Sequence, residues 1–148
     1  MKMNLKNLLN DGSIEEFQSN SDQIKDKINI AERDLAAAKK IGALNDSDTD
    51  DTAYNAAYNA MLQSSTALMY KNGYRSKDRS KHHYTTIEFI KIVYSGKIPH
   101  DAILAFENAR STRNKLQYDT AGIITNSNVL FLIQKADIFV TSVKKFLE

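Results

Sequence analysis

The sequence contains no cysteine, only one proline and only five glycines among its 148 residues. The lack of cysteine excludes disulfides and thiolate-bound zinc or iron–sulfur sites. A chain without disulfides fits a reducing compartment. With so few helix breakers, long stretches of the chain can continue as helix, so the composition predicts an all-α protein. A chain of this length needs only one core, and residues 1–148 are expected to form a single domain.

Long apolar runs are missing too. No segment is apolar over enough residues for a signal peptide or a membrane span, so we expect a cytoplasmic protein that does not act at a membrane. The formal net charge of +2 is too small to indicate nucleic acid by itself, and the clustering of charge matters more. Residues 45–51, "NDSDTDD", carry four aspartates, whereas residues 74–84, "YRSKDRSKHHY", are strongly basic.

Motifs for metals and cofactors are absent from the sequence. Asp46, Asp48 and Asp50 alternate as in a calcium loop, but Asp51 stands where an EF-hand needs glycine and Ala57 where it needs glutamate. There is no Walker loop, dinucleotide-binding glycine pattern or nucleophile elbow. We therefore predict no bound metal and no cofactor, and conventional nucleotide hydrolysis is not expected.

Apolar spacing and helix punctuation predict an antiparallel bundle of four to five main helices joined by short connections. Ile24, Ile28, Ala31 and Leu35 recur at spacings of four and three, which marks one buried helix face. Glycines after the third and fifth helices are expected to stop them. The predicted helices cover Asn4–Leu9, Ser21–Gly42 with Ser21 as N-cap, Thr49–Asn72 before Gly73, His83–Tyr94, Pro99 to about Asp119 before Gly122, and a last helix capped by Thr125 or Asn126.

The fifth predicted helix gathers its polar side chains on one face. On an ideal helix these residues share an arc of roughly 140°, with Ala105 and Ala109 on the core side. Arginine offers a planar fork of donors for phosphate oxygens, and amides add neutral donors. The face therefore suits phosphate or RNA backbone; in the alternative interpretation its arginines pair with Glu107 or Asp119 on a solvated surface. The face consists of Arg110, Arg113, Asn114, Gln117 and Tyr118.

Four segments in order resemble the HEPN family (higher eukaryotes and prokaryotes nucleotide-binding), in its small prokaryotic branch linked to toxin–antitoxin and defence systems. They are "IAERDLAAAKKIG" at 30–42, "AYNAAYNAMLQSSTALMYKNGYR" at 53–75, "HHYTTIEFI" at 82–90 and "ARSTRNKLQYDTAG" at 109–122. The resemblance implies a homodimeric helical bundle and, in many members, a metal-independent endoribonuclease. It also implies partners such as a cognate antitoxin or a nucleotidyltransferase.

The arginine-based motif of that family matches this chain in part. Arg113 and Asn114 occupy its first two positions, but Tyr118 stands where a histidine is expected. Histidine titrates near neutral pH, whereas tyrosine, with an ordinary pKa of about 10, is poorly suited to proton transfer. We predict that His82 or His83, just after the basic segment, supplies the missing imidazole. The alternative is that His83 packs against Tyr84 or Tyr54 while His82 faces water.

Two further segments could contribute to the same site. The basic segment offers cations for RNA phosphate at Arg75, Lys77, Arg79 and Lys81, with Tyr74 and Tyr84 as flanking aromatics for stacking. In the resembling branch, the long third helix packs beside the motif helix. The resemblance therefore implies a cleft or dimer seam lined by Tyr54, Asn55 and Tyr58.

The sequence thus supports two functions from different classes. The first is a HEPN-type protein that binds RNA or nucleotide phosphate, with ribonuclease activity weak or lost because the motif histidine is replaced. The second is a non-catalytic dimeric interaction module whose polar face holds a partner protein. A DNA-binding helix-turn-helix is less favoured because no short recognition helix with a basic face stands out.

Overall fold

The computed structural model describes residues 4–118 and 123–148, with side chains at 4–115 and 123–148. Over these residues the chain is an all-α bundle of six helices with one small two-stranded sheet, so the predicted fold class is confirmed. Five helices are long and the first is short. The helices are α1 (Leu5–Asn10), α2 (Ser21–Gly42), α3 (Asp50–Lys71), α4 (His82–Val93), α5 (His100–Tyr118) and α6 (Asn126–Leu147).

Helix α3 is the centre of the bundle. It packs against α2, α4, α5 and α6, and its side chains are buried on nearly every side, including Ala57, Met61 and Leu68. Because α2 and α3 pack together closely and are joined only by residues 43–49, the two helices run antiparallel. The alanines of α3 keep the neighbouring helices close, and this brings α4 and α5 against the same helix.

Local capping explains where the long helices begin. The Asn20 side chain accepts a hydrogen bond from the backbone N–H of Gln23, whose side chain accepts from the Asn20 N–H in return. The predicted cap at Ser21 is therefore wrong by one residue, since Asn20 is the residue with extended backbone. Thr125 caps α6 through the same reciprocal pair with Asn128, as one of the two predicted caps requires.

One asparagine joins three helices. Asn126 Nδ2, at the start of α6, donates to the Gly42 carbonyl oxygen over 3.0 Å and to Asp50 Oδ1 over 3.1 Å. It thereby satisfies the last residue of α2 and the buried first residue of α3. Gly42 itself lies against α6, where an added Cβ would come within 2.9 Å of Ile133 Cδ1. The ends of the Ile133 and Val129 side chains would have to shift to admit a Cβ here, so glycine favours the close approach of α2 and α6, while Gly73 ends α3 with a left-handed φ of +87°.

The basic segment is more ordered than predicted. Residues Tyr74–Ser76 form strand β2, which pairs antiparallel with β1 (Ile14–Glu16), and residues Arg79–Lys81 form a 3-10 turn capped by Asp78. The prediction of a plain loop was therefore wrong. The pairing holds the segment against β1, and the 3-10 turn leads directly into α4. The predicted stop of α5 at Gly122 lies outside the described residues.

Candidate functional site

Two arginines on α5 lie over aromatic rings. The guanidinium carbon of Arg113 is 5.7 Å from the centroid of the Tyr58 ring, and that of Arg110 is 5.5 Å from the Tyr84 ring. Within residues 4–115 and 123–148, neither arginine has a carboxylate partner. Glu107 instead accepts a 2.6 Å hydrogen bond from Lys91 Nζ, so the predicted pairing of an arginine with Glu107 is wrong. The other predicted partner, Asp119, lies outside the described residues. Cation–π contact does not use the N–H donors, so with respect to the described residues they remain available to an anion.

Tyr58 connects α3 to α4 and α5. Its side chain is only 1% exposed, and its hydroxyl lies 2.9 Å from His83 Nδ1. The two rings are stacked at 5.5 Å between centroids, with an interplanar angle of 24°. Because Arg113 lies over the ring of the same tyrosine, His83 and Arg113 are brought to one place. His83 packs against Tyr58, so the predicted packing against Tyr84 or Tyr54 is wrong.

Burial sets the protonation of this pair. Desolvation raises the pKa of Tyr58 to about 12, although Arg113 and Arg110 act in the opposite direction. Desolvation also lowers the pKa of His83 to about 4, and here the positive charge of Arg113 adds to the effect. At neutral pH the tyrosine is therefore protonated and the imidazole is neutral. Nδ1 of His83 is occupied by the tyrosine hydroxyl, which leaves Nε2 as the ring nitrogen for a ligand.

His83 and Arg113 line a cleft with a volume of about 750 Å³, which we call the Arg113 cleft. Three cations contribute to it, and none of the described residues that line it carries a carboxylate. Asn114 adds an amide, and Tyr84, which is 44% exposed, adds an accessible aromatic ring. The cleft is formed by Ser80, Lys81, His83, Tyr84, Arg110, Arg113 and Asn114.

His82 does not line the Arg113 cleft. Its Nδ1 lies 2.9 Å from Ser76 Oγ, and its Nε2 lies 3.4 Å from Thr66 Oγ1, so both ring nitrogens face hydroxyl groups. Burial lowers the pKa of His82, with Lys27 and Arg79 adding to the shift. The alternative in which this histidine faces water is therefore wrong. Of the two predicted histidines, only His83 lies with Arg113.

The basic segment divides between two concavities. Lys81 lines the Arg113 cleft, whereas Arg75, Lys77 and Arg79 line a second cavity of about 570 Å³, which we call the Arg79 cavity. Tyr74 reaches neither of them and packs against the core, 6.3 Å from the Phe89 ring. The Arg79 cavity is lined by Glu15, Lys27, Gln63, Thr66, Met69, Tyr70, Arg75, Ser76, Lys77, Arg79, His82 and His83.

The other residues predicted for the site fall elsewhere. Tyr54 is buried, and a hydrogen bond with Thr112 partly offsets the rise in its pKa that burial causes. It lines a different concavity, beside Lys115 and Phe131, and Asn55 is exposed outside all of these surfaces. Tyr58 is thus the one residue of the predicted seam that touches Arg113. The side chains of Gln117 and Tyr118 lie outside the described residues.

Sequence reasoning missed Lys27 and Ser80. Lys27 is on the same face of α2 as Ile24 and Ala31, and a lysine at that edge of an apolar stripe was a usable signal. It lies half-buried in the Arg79 cavity. Ser80 had no such signal, since it enters the Arg113 cleft only because the 3-10 turn points it there.

Neither a metal site nor a membrane-spanning helix is present among the described residues. Among the described side chains, no group of three or more His, Asp or Glu residues is placed to hold a metal ion. No helix in the described part of the chain is both long and apolar enough to cross a membrane. A scan against protein-family models gave no match, and neither did a search of curated proteins.

Proposed function

We propose that this chain is a HEPN-type protein that binds RNA, or a nucleotide, through phosphate in the Arg113 cleft. The observation that carries the proposal is the pair of arginines, Arg110 and Arg113, held over aromatic rings without a carboxylate partner among the described residues. Ion-paired arginines would have to give up a partner to bind phosphate. These two have no such cost within the described part of the chain.

The other groups of the cleft suit an RNA ligand. Lys81 adds a third cation, and Asn114 can donate a neutral hydrogen bond to phosphate or sugar oxygens. The exposed ring of Tyr84 can stack on a base without regard to its identity. Together they favour single-stranded RNA held by its backbone, with little sequence preference.

Metal-independent cleavage is expected to be slow or lost. Such a reaction needs a base for the 2′-hydroxyl proton and an acid for the leaving 5′ oxygen. With a pKa of about 4, only roughly one His83 ring in a thousand is protonated at pH 7, so the free protein offers almost no acid there. Neutral His83 is better suited to donating a hydrogen bond from Nε2 than to transferring protons.

Fluorescence anisotropy with labelled single-stranded RNA tests the proposal. Arg113→Ala should weaken binding by at least roughly tenfold, because a charge-assisted hydrogen bond contributes about 1.5–3 kcal/mol. Arg33→Ala is the matched control, since Arg33 is exposed on α2 and its one ion pair among the described residues is with its neighbour Asp34. Equal affinity of wild type, Arg113→Ala and Arg33→Ala would rule out the Arg113 cleft as the RNA site.

The same samples report on cleavage. RNA incubated with wild-type protein and a metal chelator should remain intact while it binds. Fragments ending in 2′,3′-cyclic phosphate that disappear in both Arg113→Ala and His83→Gln would instead make the protein an active ribonuclease. Fragments that persist in both variants would point to a contaminating nuclease.

A second candidate, the dimeric interaction module, is favoured by exposed apolar side chains on α6. Leu130, Phe131 and Ile138 are 51%, 55% and 38% exposed, more than a helix facing only water would need. Such a face suits a second copy of the chain, a cognate antitoxin or a nucleotidyltransferase. Light scattering of wild type and of Phe131→Ser decides this: a dimer that becomes a monomer in the variant, with no RNA binding in either protein, would favour the module.

A further inference from the structure

The Arg79 cavity adjoins the Arg113 cleft along the histidine pair. His83 lines both concavities, and the rings of His82 and His83 meet edge-on with centroids 6.1 Å apart. The two concavities therefore share His83 as a wall, and the histidine pair lies at their boundary.

The charge of the Arg79 cavity is strongly positive. Lys27, Arg75, Lys77 and Arg79 line it, and Glu15 is the one carboxylate among its described lining residues. That carboxylate is already engaged, because Arg75 Nε donates to it over 2.8 Å. Arg75 also lies 4.6 Å from the Phe17 ring centroid, which fixes it as part of the wall. The other three cations have no ion-pair partner among the described residues and converge on the same volume.

The rest of the Arg79 cavity suits a nucleotide in its volume and in the side chains that line it. The volume of about 570 Å³ falls within the range of roughly 300–1,000 Å³ typical of small-ligand sites. Gln63 is among the lining residues and adds a polar side chain. Tyr70, half-buried against Phe17, adds an aromatic surface. An aromatic wall suits a nucleobase better than a bare inorganic anion.

We propose that the Arg79 cavity is a second RNA subsite, which holds the phosphate and base of a nucleotide adjoining the one in the Arg113 cleft. The inference rests on the proposed function and extends it: the substrate is a single strand that crosses the histidine pair and fills both surfaces. Lys27 and Arg79 bind the second phosphate. The contribution of the cavity appears only when the ligand is long enough to reach it.

The test compares a dinucleotide that carries a single phosphate, which the Arg113 cleft binds, with a hexanucleotide of the same base. The dinucleotide has no second phosphate for Lys27 and Arg79. Two double variants and one single variant are compared with wild type. Lys27→Gln/Arg79→Gln empties the Arg79 cavity of two cations, both on partly or fully exposed side chains that the fold does not require. Lys25→Gln/Lys40→Gln is the control with the same change in net charge at exposed positions of α2 outside the cavity. Arg113→Ala reports on the Arg113 cleft.

The cavity variant should bind the hexanucleotide roughly tenfold more weakly than wild type does, while the control and the dinucleotide affinity change little. The slope of log affinity against log salt for the hexanucleotide should fall by about 1.4, since a single strand loses about 0.7 per cation removed. Equal loss for both ligand lengths, or no loss in the cavity variant, would overturn the second subsite. Saturable binding of 5′-AMP that needs Lys27 and Arg79, with no gain from a longer strand, would also overturn it and make the cavity a free-nucleotide site.

Failure of this inference and failure of the proposed function give different results. If Arg113→Ala weakens both ligands and the cavity variant weakens neither, only the second subsite is lost. If Arg113→Ala changes nothing, the proposed function fails whatever the cavity variant does. Circular dichroism of each variant establishes that it is folded before affinities are compared.

Discussion

The two sides of helix α3 are packed by different chemistry. Toward α2 and α6 the neighbours are apolar or small, such as Ala31 and Leu35 on α2 and Leu132 and Ala136 on α6, and all four are buried. Toward α4 and α5 the same helix buries Tyr58 against His83, Phe106 and Arg113. The first side is packed mainly by apolar contacts, with Asn126 joining the ends of its helices, whereas on the second side a histidine and a tyrosine are desolvated.

That difference separates stability from function. Burying an imidazole, with its pKa lowered to about 4, stabilises the contact between two helices less than apolar packing would. Perturbed titratable groups of this kind cluster at functional sites. We therefore expect changes on the apolar side to alter unfolding alone, and changes on the polar side to alter ligand binding more than unfolding.

The largest expected effect on stability is Leu132→Ala. This side chain is 2% exposed, and its loss should lower the free energy of unfolding by about 2–5 kcal/mol through lost burial and a cavity. Leu130→Ala, 51% exposed on the same helix, should stay within about 0.5 kcal/mol. Urea unfolding measures both. If Leu132→Ala also abolishes RNA binding while still folded, the separation between the two sides is wrong.

Asn126→Ala should have the next largest effect. It leaves the buried Asp50 carboxylate and the Gly42 carbonyl without the donor that joins them, at an expected cost of about 1–3 kcal/mol. The exposed neighbour Ser127 gives the control variant, Ser127→Ala, because the serine side chain forms no hydrogen bond with any of the described residues. Thermal unfolding should show a clear drop for the first variant and almost none for the second. RNA affinity should be the same in both.

Acid sensitivity belongs to the polar side and is the smallest effect at neutral pH, because it develops only as the pH falls. His83 has its pKa lowered from an ordinary 6.5 to about 4, so between these values the unfolded chain binds more protons than the folded one. Stability should therefore fall as the pH drops from about 6.5 to about 4, with His82 acting in the same direction. In His83→Gln, Tm should depend less steeply on pH over this window. An unchanged slope would mean that His83 is not the neutral, buried group described above.

Most of the helices could be predicted because their signals are local. Apolar spacing along α2, the Thr125 cap and the stop at Gly73 each act within a few residues. The pairing of β1 with β2 was missed because its two three-residue strands are far apart in the sequence and too short to carry a pattern. The cap of α2 was misplaced because Asn20 and Ser21 are both good caps, and only the backbone conformation chooses between them.

Only the part of the candidate site that lies on a single helix could be predicted from the sequence. The shared polar face of Arg110, Arg113 and Asn114 follows from helical geometry, and the structure keeps these three in one cleft. The packing of Tyr58 beneath Arg113 depends on how α3, α4 and α5 cross, which no local spacing encodes. The same is true of the division of the basic segment between two surfaces.

The central claim, that the Arg113 cleft binds RNA phosphate, is tested most directly by nuclear magnetic resonance of the His83 ring. A dinucleotide phosphate in the cleft would offset the charge of Arg113 and Arg110, so the pKa of His83 should rise from about 4 by at least about one unit. The rise should be absent in Arg113→Gln, and at fixed pH the ring signals of exposed His100 should be the same with and without dinucleotide. A His83 titration that is identical with and without saturating dinucleotide would contradict the account.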